Sequence, residues 1–127
     1  LWVREALQAG RPIRVVADQW RTPTLAEDLA EAVATVALAR RPGLYHISGT
    51  EYMPVLEVAR RCAAAFGLEA ARIAPTDASQ LTEPARRPLR TGLIILKAQT
   101  ELGFRPRPLD EALALIALLK GPSWYGF

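Results

Sequence analysis

Between Pro84 and Arg107 the chain places Arg86, Arg87, Arg90, Lys97, Arg105 and Arg107 against a single acidic residue, Glu101. Almost all the positive charge of the protein is arginine; lysine occurs only at 97 and 120. A guanidinium offers a planar fork of donors that matches phosphate or carboxylate in bidentate fashion, whereas an ammonium is a point charge. The local excess is therefore expected to attract a phosphorylated ligand. Nucleic acid is not expected, because only Phe104 interleaves an aromatic ring with these cations. Arg87, with Pro88 beside it to limit loop freedom, is the leading candidate for a phosphate contact. Arg86 and Arg90 are secondary candidates. The bland reading of Arg87 is a surface side chain, or one paired with Glu83.

A second group is Asp18-Gln19-Trp20-Arg21-Thr22-Pro23-Thr24. Asp18 follows a β-branched run and is suited to accept loop N–H groups. Gln19 and Arg21 are either structural or reach toward a ligand. Trp20 is a pocket wall or a loop anchor. His46 and Cys62 are the sole His and Cys in 127 residues, so no disulfide within the chain and no Cys- or His-rich metal cluster can form. His46 is expected to be a hydrogen-bonded structural residue in a strand, and Cys62 an inert core thiol.

These residues need elements to hold them. The length suits one domain, and half the residues are hydrophobic at a net charge of +3, an ordinary globular balance. The longest apolar run, Ala112 to Leu119, is well short of the ~20 residues that a bilayer span requires. With no secretory signal at its start, the chain is expected to be cytoplasmic. The spacing predicts a helix over 1–9 stopped by Gly10, and a strand over Ile13–Val16. Thr24 and Glu27 form a capping-box pair for a helix carrying Leu25, Leu29, Val33 and Val36 on one stripe, ended by Pro42-Gly43. Leu44–Ser48 reads as a second strand, pairing with the first. A helix follows from Pro54 to Gly67, with Val55, Val58, Ala59, Cys62, Ala63 and Phe66 on its inner face. Arg72–Ala74 is a brief strand, and residues 76–90 form a long loop of the kind that often binds ligands. Short helices over 94–102 and from Pro108 complete the chain, followed by a tail with Trp124, Tyr125 and Phe127. The fold class is a small α/β or α+β domain, with about five helices around a short sheet. The last helix is apolar on most sides, so a further domain or a partner subunit, such as a second copy, is expected to cover it.

Three ordered stretches carry a family resemblance. They are Gly10-Arg11-Pro12-Ile13-Arg14-Val15-Val16 with Asp18-Gln19 and Thr22-Pro23-Thr24; Gly43-Leu44-Tyr45-His46-Ile47-Ser48-Gly49; and Arg87-Pro88-Leu89-Arg90-Thr91-Gly92-Leu93 with Lys97, Leu102-Gly103-Phe104 and Pro106. Together they resemble the dTDP-4-dehydrorhamnose reductase family of extended short-chain dehydrogenases, over the part that follows the catalytic Tyr and Lys. Where relatives carry a small residue such as Gly, this chain carries Arg21; where they often carry Asp or Ser, it carries Leu96.

The resemblance implies a substrate-binding part that holds a nucleotide-diphosphate 4-keto-6-deoxysugar through Arg87, Arg86, Arg90, Gln19 and Arg21. It implies that an N-terminal Rossmann domain, absent here, binds NADP or NAD and supplies the chemistry. The chain begins with Leu rather than Met and is expected to be a piece of a longer protein. It contains no glycine-rich dinucleotide fingerprint, and Gly49 and Leu56 stand four residues after Tyr45 and Tyr52 where the family has Lys. No cofactor, no catalytic residue and no metal are therefore assigned to it, and it is expected to be inactive alone. Two rivals stay open: an epimerase or dehydratase of the same superfamily, and a non-catalytic regulatory subunit on the reductase fold, such as that of methionine adenosyltransferase.

Overall fold

The structure is a computed structural model that describes residues 2–81 and 87–119. Arg86, the Glu83 proposed to pair with Arg87, and the aromatic tail with Trp124, Tyr125 and Phe127 lie outside the described residues. Among the described residues, five α-helices surround two small two-stranded sheets.

Helix α1 (Trp2–Gln8) ends in a left-handed turn at Gly10, φ +70°. The amide of Arg11 donates to Ala6 O and that of Gly10 to Leu7 O, the paired bonds that close a helix on a residue free to take positive φ. Strand β1 (Ile13–Val16) follows. After a short strand β2 (Trp20–Arg21) comes α2 (Ala26–Leu38). Strand β3 (Met53–Pro54) leads into α3 (Val55–Ala65), closed at Gly67, φ +63°. Strand β4 (Ile73–Thr76), α4 (Leu96–Leu102) and α5 (Leu109–Leu119) complete the order.

The sheet partner expected for β1 is wrong. Strand β1 pairs in parallel with β4, in the register Ile13↔Ile73 to Val16↔Thr76. Residues 44–48 form no strand. Their alternation is real, because Tyr45 and Ile47 turn inward while Leu44 and His46 face out. They pack onto Ala32, Ile95, Ala98 and Phe104 between α2 and α4 rather than onto a strand edge. Period-two patterning reports which side chains are buried, not what buries them. His46 is exposed and has no hydrogen-bond partner among the described residues, contrary to the structural role expected of it.

The N-terminus of α2 also differs. Leu25, not Thr24, occupies the N-cap position, and no side chain caps the helix. Thr24 Oγ1 instead accepts the amide of Gly49 at 3.0 Å and donates to Thr22 O at 3.2 Å. Gly49 is buried, and its amide takes the Thr24 hydroxyl as its acceptor, so a long-range bond uses the group that would otherwise serve as a local cap. On α2 itself, Asp28 and Ala32 are buried while Leu29 and Val33 are exposed, so the apolar stripe read from the sequence is not the inner face.

Three clusters make the core. Leu7, Val15, Leu56, Ala59, Ala63 and Ile73 join α1, the parallel pair and α3. Met53, Cys62, Leu109 and Leu113 join α3 to α5. The third is the α2–α4 cluster named above. The inner face expected of α3 is confirmed at Ala59, Cys62 and Ala63.

Candidate functional site

Strand β2 is the base of the site. It pairs antiparallel with β3 on one side, Trp20 opposite Pro54 and Arg21 opposite Met53. On its other side Trp20 bridges in parallel to Arg90. The Trp20 amide donates to Leu89 O at 2.7 Å, and the Thr91 amide donates to Trp20 O at 3.2 Å. The chain around Arg90 thus becomes an edge added to a strand only two residues long.

The Asp18–Arg21 segment anchors both ends of the loop read from the sequence. At the entry, both carboxylate oxygens of Asp18 accept the amide of Ala78, at 3.0 and 3.2 Å. At the exit, the Arg21 guanidinium donates to Pro88 O at 3.0 Å and Leu89 O at 3.2 Å. The same guanidinium reaches Trp20 O at 2.7 Å and Gln19 Oε1 at 2.9 Å. Gln19 is only 7% exposed, and its main-chain carbonyl accepts the amide of Val55 at the start of α3. Gln19 and Arg21 therefore lie beneath the edge, while Arg87 and Arg90 are exposed on it.

Aromatic rings line the same edge. Trp20 and Tyr52 stand 5.3 Å apart, ring to ring, at an interplanar angle of 35°. The Arg90 guanidinium lies 6.0 Å from the Trp20 ring, within reach of a cation–π attraction. Trp20 thus acts as anchor and as surface at once. Beside this stack a cavity of about 270 Å³ is lined by Thr22, Gly49, Thr50, Tyr52 and residues 92–95. The sequence presents Tyr52 only as a tyrosine without its Lys partner; its relation to Trp20 exists only through the β2–β3 pairing. A larger apolar groove of about 690 Å³ runs between α1, α3, α5 and the start of α2, past Val3, Leu25, Val58, Cys62, Leu113 and Ile116. Arg105 and Arg107, counted with the basic cluster in the sequence, are not at the edge. Arg107 pairs with Asp28 and Glu31 of α2, and Lys97 lies 4.4 Å from the Tyr45 ring.

The arrangement presents guanidinium donors and ring faces. Among the described residues no cluster of three or more His, Cys, Asp or Glu could hold a metal ion. The parallel strands are followed by Ala17-Asp18-Gln19 and by Asp77-Ala78, not by a glycine-rich turn that could cradle a pyrophosphate against a helix. These residues do not fit a dinucleotide. Burial pushes the Cys62 thiol up, away from the reactive thiolate. No helix among the described residues is long and apolar enough to cross a membrane.

Comparison with known proteins gives a consistent picture. The profile of the RmlD substrate binding domain matches residues 2–119. The spore coat polysaccharide biosynthesis protein SpsK of Bacillus subtilis (strain 168) is 36% identical over 101 residues, covering 80% of this chain and 35% of that protein. The dTDP-4-dehydrorhamnose reductase of Clostridium acetobutylicum ATCC 824 superposes with a TM-score of 0.81 at 25% identity, over 93% of this chain and 43% of that one. The dTDP-4-dehydrorhamnose reductase of Bacillus anthracis str. Ames, solved in complex with NADP, superposes with a TM-score of 0.84 at 22% identity, over 94% of this chain and 42% of that one. The chain thus spans about a third of the length of the curated relative.

Proposed function

This chain belongs to the RmlD substrate binding domain family, and on that premise we propose that it is the sugar-nucleotide-holding part of an NAD(P)-dependent reductase. The substrate in this reading is a nucleotide-diphosphate 4-keto-6-deoxysugar of the kind reduced in dTDP-rhamnose synthesis. A Rossmann domain elsewhere in the protein binds NADP or NAD, supplies the Tyr and Lys, and covers the apolar groove along α5. The chain by itself is inactive.

The observation that carries the reading is the fixed edge at residues 87–91. Arg90 sits between Leu89 and Thr91, whose main-chain groups bond Trp20, and Arg87 precedes Pro88, whose carbonyl is held by Arg21, so the backbone that carries both guanidinium groups needs little ordering on binding. Arg87 makes the bidentate contact to the pyrophosphate, and Arg86 and Arg90 add charge around it. The Trp20–Tyr52 pair offers ring faces to the remainder of the ligand.

Arg87→Ala in the full-length protein tests this reading. A charge-assisted hydrogen bond to phosphate is worth ~1.5–3 kcal/mol, so the KM for the nucleotide sugar should rise about tenfold or more while the KM for the cofactor stays unchanged. Equal effects on both constants, or none on either, would overturn the assignment.

A further inference from the structure

We propose that Arg21 is a positioning residue for anion binding at the 87–91 edge; this rests on the reading of that edge as the pyrophosphate wall. Arg21 donates to four acceptors, and every one is neutral: the carbonyls of Trp20, Pro88 and Leu89 and the side-chain oxygen of Gln19. Among the described residues no carboxylate forms an ion pair with it. Its hydrogen bonds are satisfied, but its charge is not cancelled.

Two consequences follow from that geometry. First, the carbonyls of Pro88 and Leu89 are turned onto a cation. A main-chain oxygen facing an incoming phosphate would repel it; Arg21 holds Pro88 O away from that role and, together with the Trp20 amide, Leu89 O as well. Second, a full positive charge stays beneath the edge that carries Arg87 and Arg90. At the moderate effective dielectric of a partly buried site it adds to their attraction without touching the ligand. The side chain is locked from behind, because Gln19 is itself buried and tied to the first residue of α3. A guanidinium suits this place and an ammonium does not: three donors on one nitrogen cannot span four acceptors distributed over residues 19, 20, 88 and 89.

The test compares the protein carrying this chain with its Arg21→Ala, Arg21→Lys and Arg87→Ala variants. Thymidine diphosphate is the calorimetric probe, and hydrogen exchange is followed at the Trp20 and Thr91 amides. Arg21→Ala should weaken thymidine diphosphate binding about tenfold, equivalent to 1.4 kcal/mol, and speed exchange at both amides. Millimolar guanidinium should restore both properties, methylammonium neither, and Arg21→Lys should recover only part of the affinity. Substrate KM should rise in the same variant with kcat unchanged. Unchanged affinity in Arg21→Ala while Arg87→Ala binds weakly would overturn the role of Arg21 alone. Lost affinity with both amides still protected would also overturn it. Absence of thymidine diphosphate binding by the unsubstituted protein would overturn the pyrophosphate reading and this inference with it.

Discussion

Asp28 and Arg107 stand 79 positions apart and close on each other as an ion pair, with the Asp28 carboxylate also accepting the Arg107 amide at 2.7 Å. Asp28 is only 2% exposed, on the inner face of α2. The neighbouring carboxylate of Asp28, aided by Glu31, raises the pKa of Arg107 further above its ordinary value, and the guanidinium is charged throughout the working range in any case. The pair ties α2 to the segment entering α5, and it puts a charged residue on the inner face of α2 while Leu29 and Val33 of the expected apolar stripe stay exposed.

Asp28→Ala leaves the Arg107 peptide N–H without its acceptor. A buried donor stranded in this way costs ~1–3 kcal/mol. Urea unfolding of the variant should show a lower midpoint with an unchanged slope. A midpoint equal to that of the unsubstituted protein would show that the amide finds water instead.

Gly49→Ala should be among the most damaging single substitutions. A Cβ at this position would lie 2.0 Å from the carbonyl oxygen of Pro23, and backbone cannot move aside as a side chain tip can. Overpacking of this kind costs ~1–3 kcal/mol or more, and relief would separate Gly49 from Thr24. Thermal unfolding should report the loss. A variant as stable as its parent would mean that the 22–24 turn shifts freely.

Arg40→Gly should stabilise. Helix α2 closes with Arg40 at φ 47°, where the amides of Arg40 and Arg41 reach back to Ala37 and Val36. The expected stop at Pro42-Gly43 lies beyond this closure. A non-glycine residue in the left-handed region pays ~1–2 kcal/mol, part of which glycine returns in unfolded-state entropy. A net gain of ~0.5–1 kcal/mol is expected from denaturant titration, and a loss would show that the Arg40 side chain contributes packing.

Cys62 gives a pH signature. Burial holds its pKa above the ordinary thiol value, and the unfolded thiol ionises near about 8.5. Above that pH the unfolded chain binds fewer protons than the folded one, so stability falls as pH rises, until the folded thiol ionises too. Cys62→Ala removes this slope. Urea midpoints compared at neutral and alkaline pH should converge between the two proteins as pH rises, and parallel losses in both would assign the effect elsewhere. A thiol reagent should label Cys62 only after denaturant is added.

The five helices were legible because their signals are local. Gly10, Gly67 and Gly103 take positive φ at three helix ends, as a residue without Cβ readily does. The alternation around Tyr45 and Ile47 was legible as well, but its partner was not. Asp18 was read as an acceptor for loop amides, and it accepts the amide of Ala78. The capping role read for Thr24 lost to Gly49, a residue 25 positions away.

The sequence by itself determined the helices, the glycine stops of α1, α3 and α4, the inner face of α3 and the concentration of arginine near residue 87. Each follows from a residue's own conformational or solvation preference within a few positions of chain. Tertiary structure alone decided that β1 pairs with β4, that Trp20 meets Tyr52 and Arg90, and that Arg21 lies beneath Pro88 and Leu89. Hydrogen bonds between distant segments cost loop-closure entropy that no local pattern records. Which segments meet is settled by burial and by the need of every enclosed polar group for a partner.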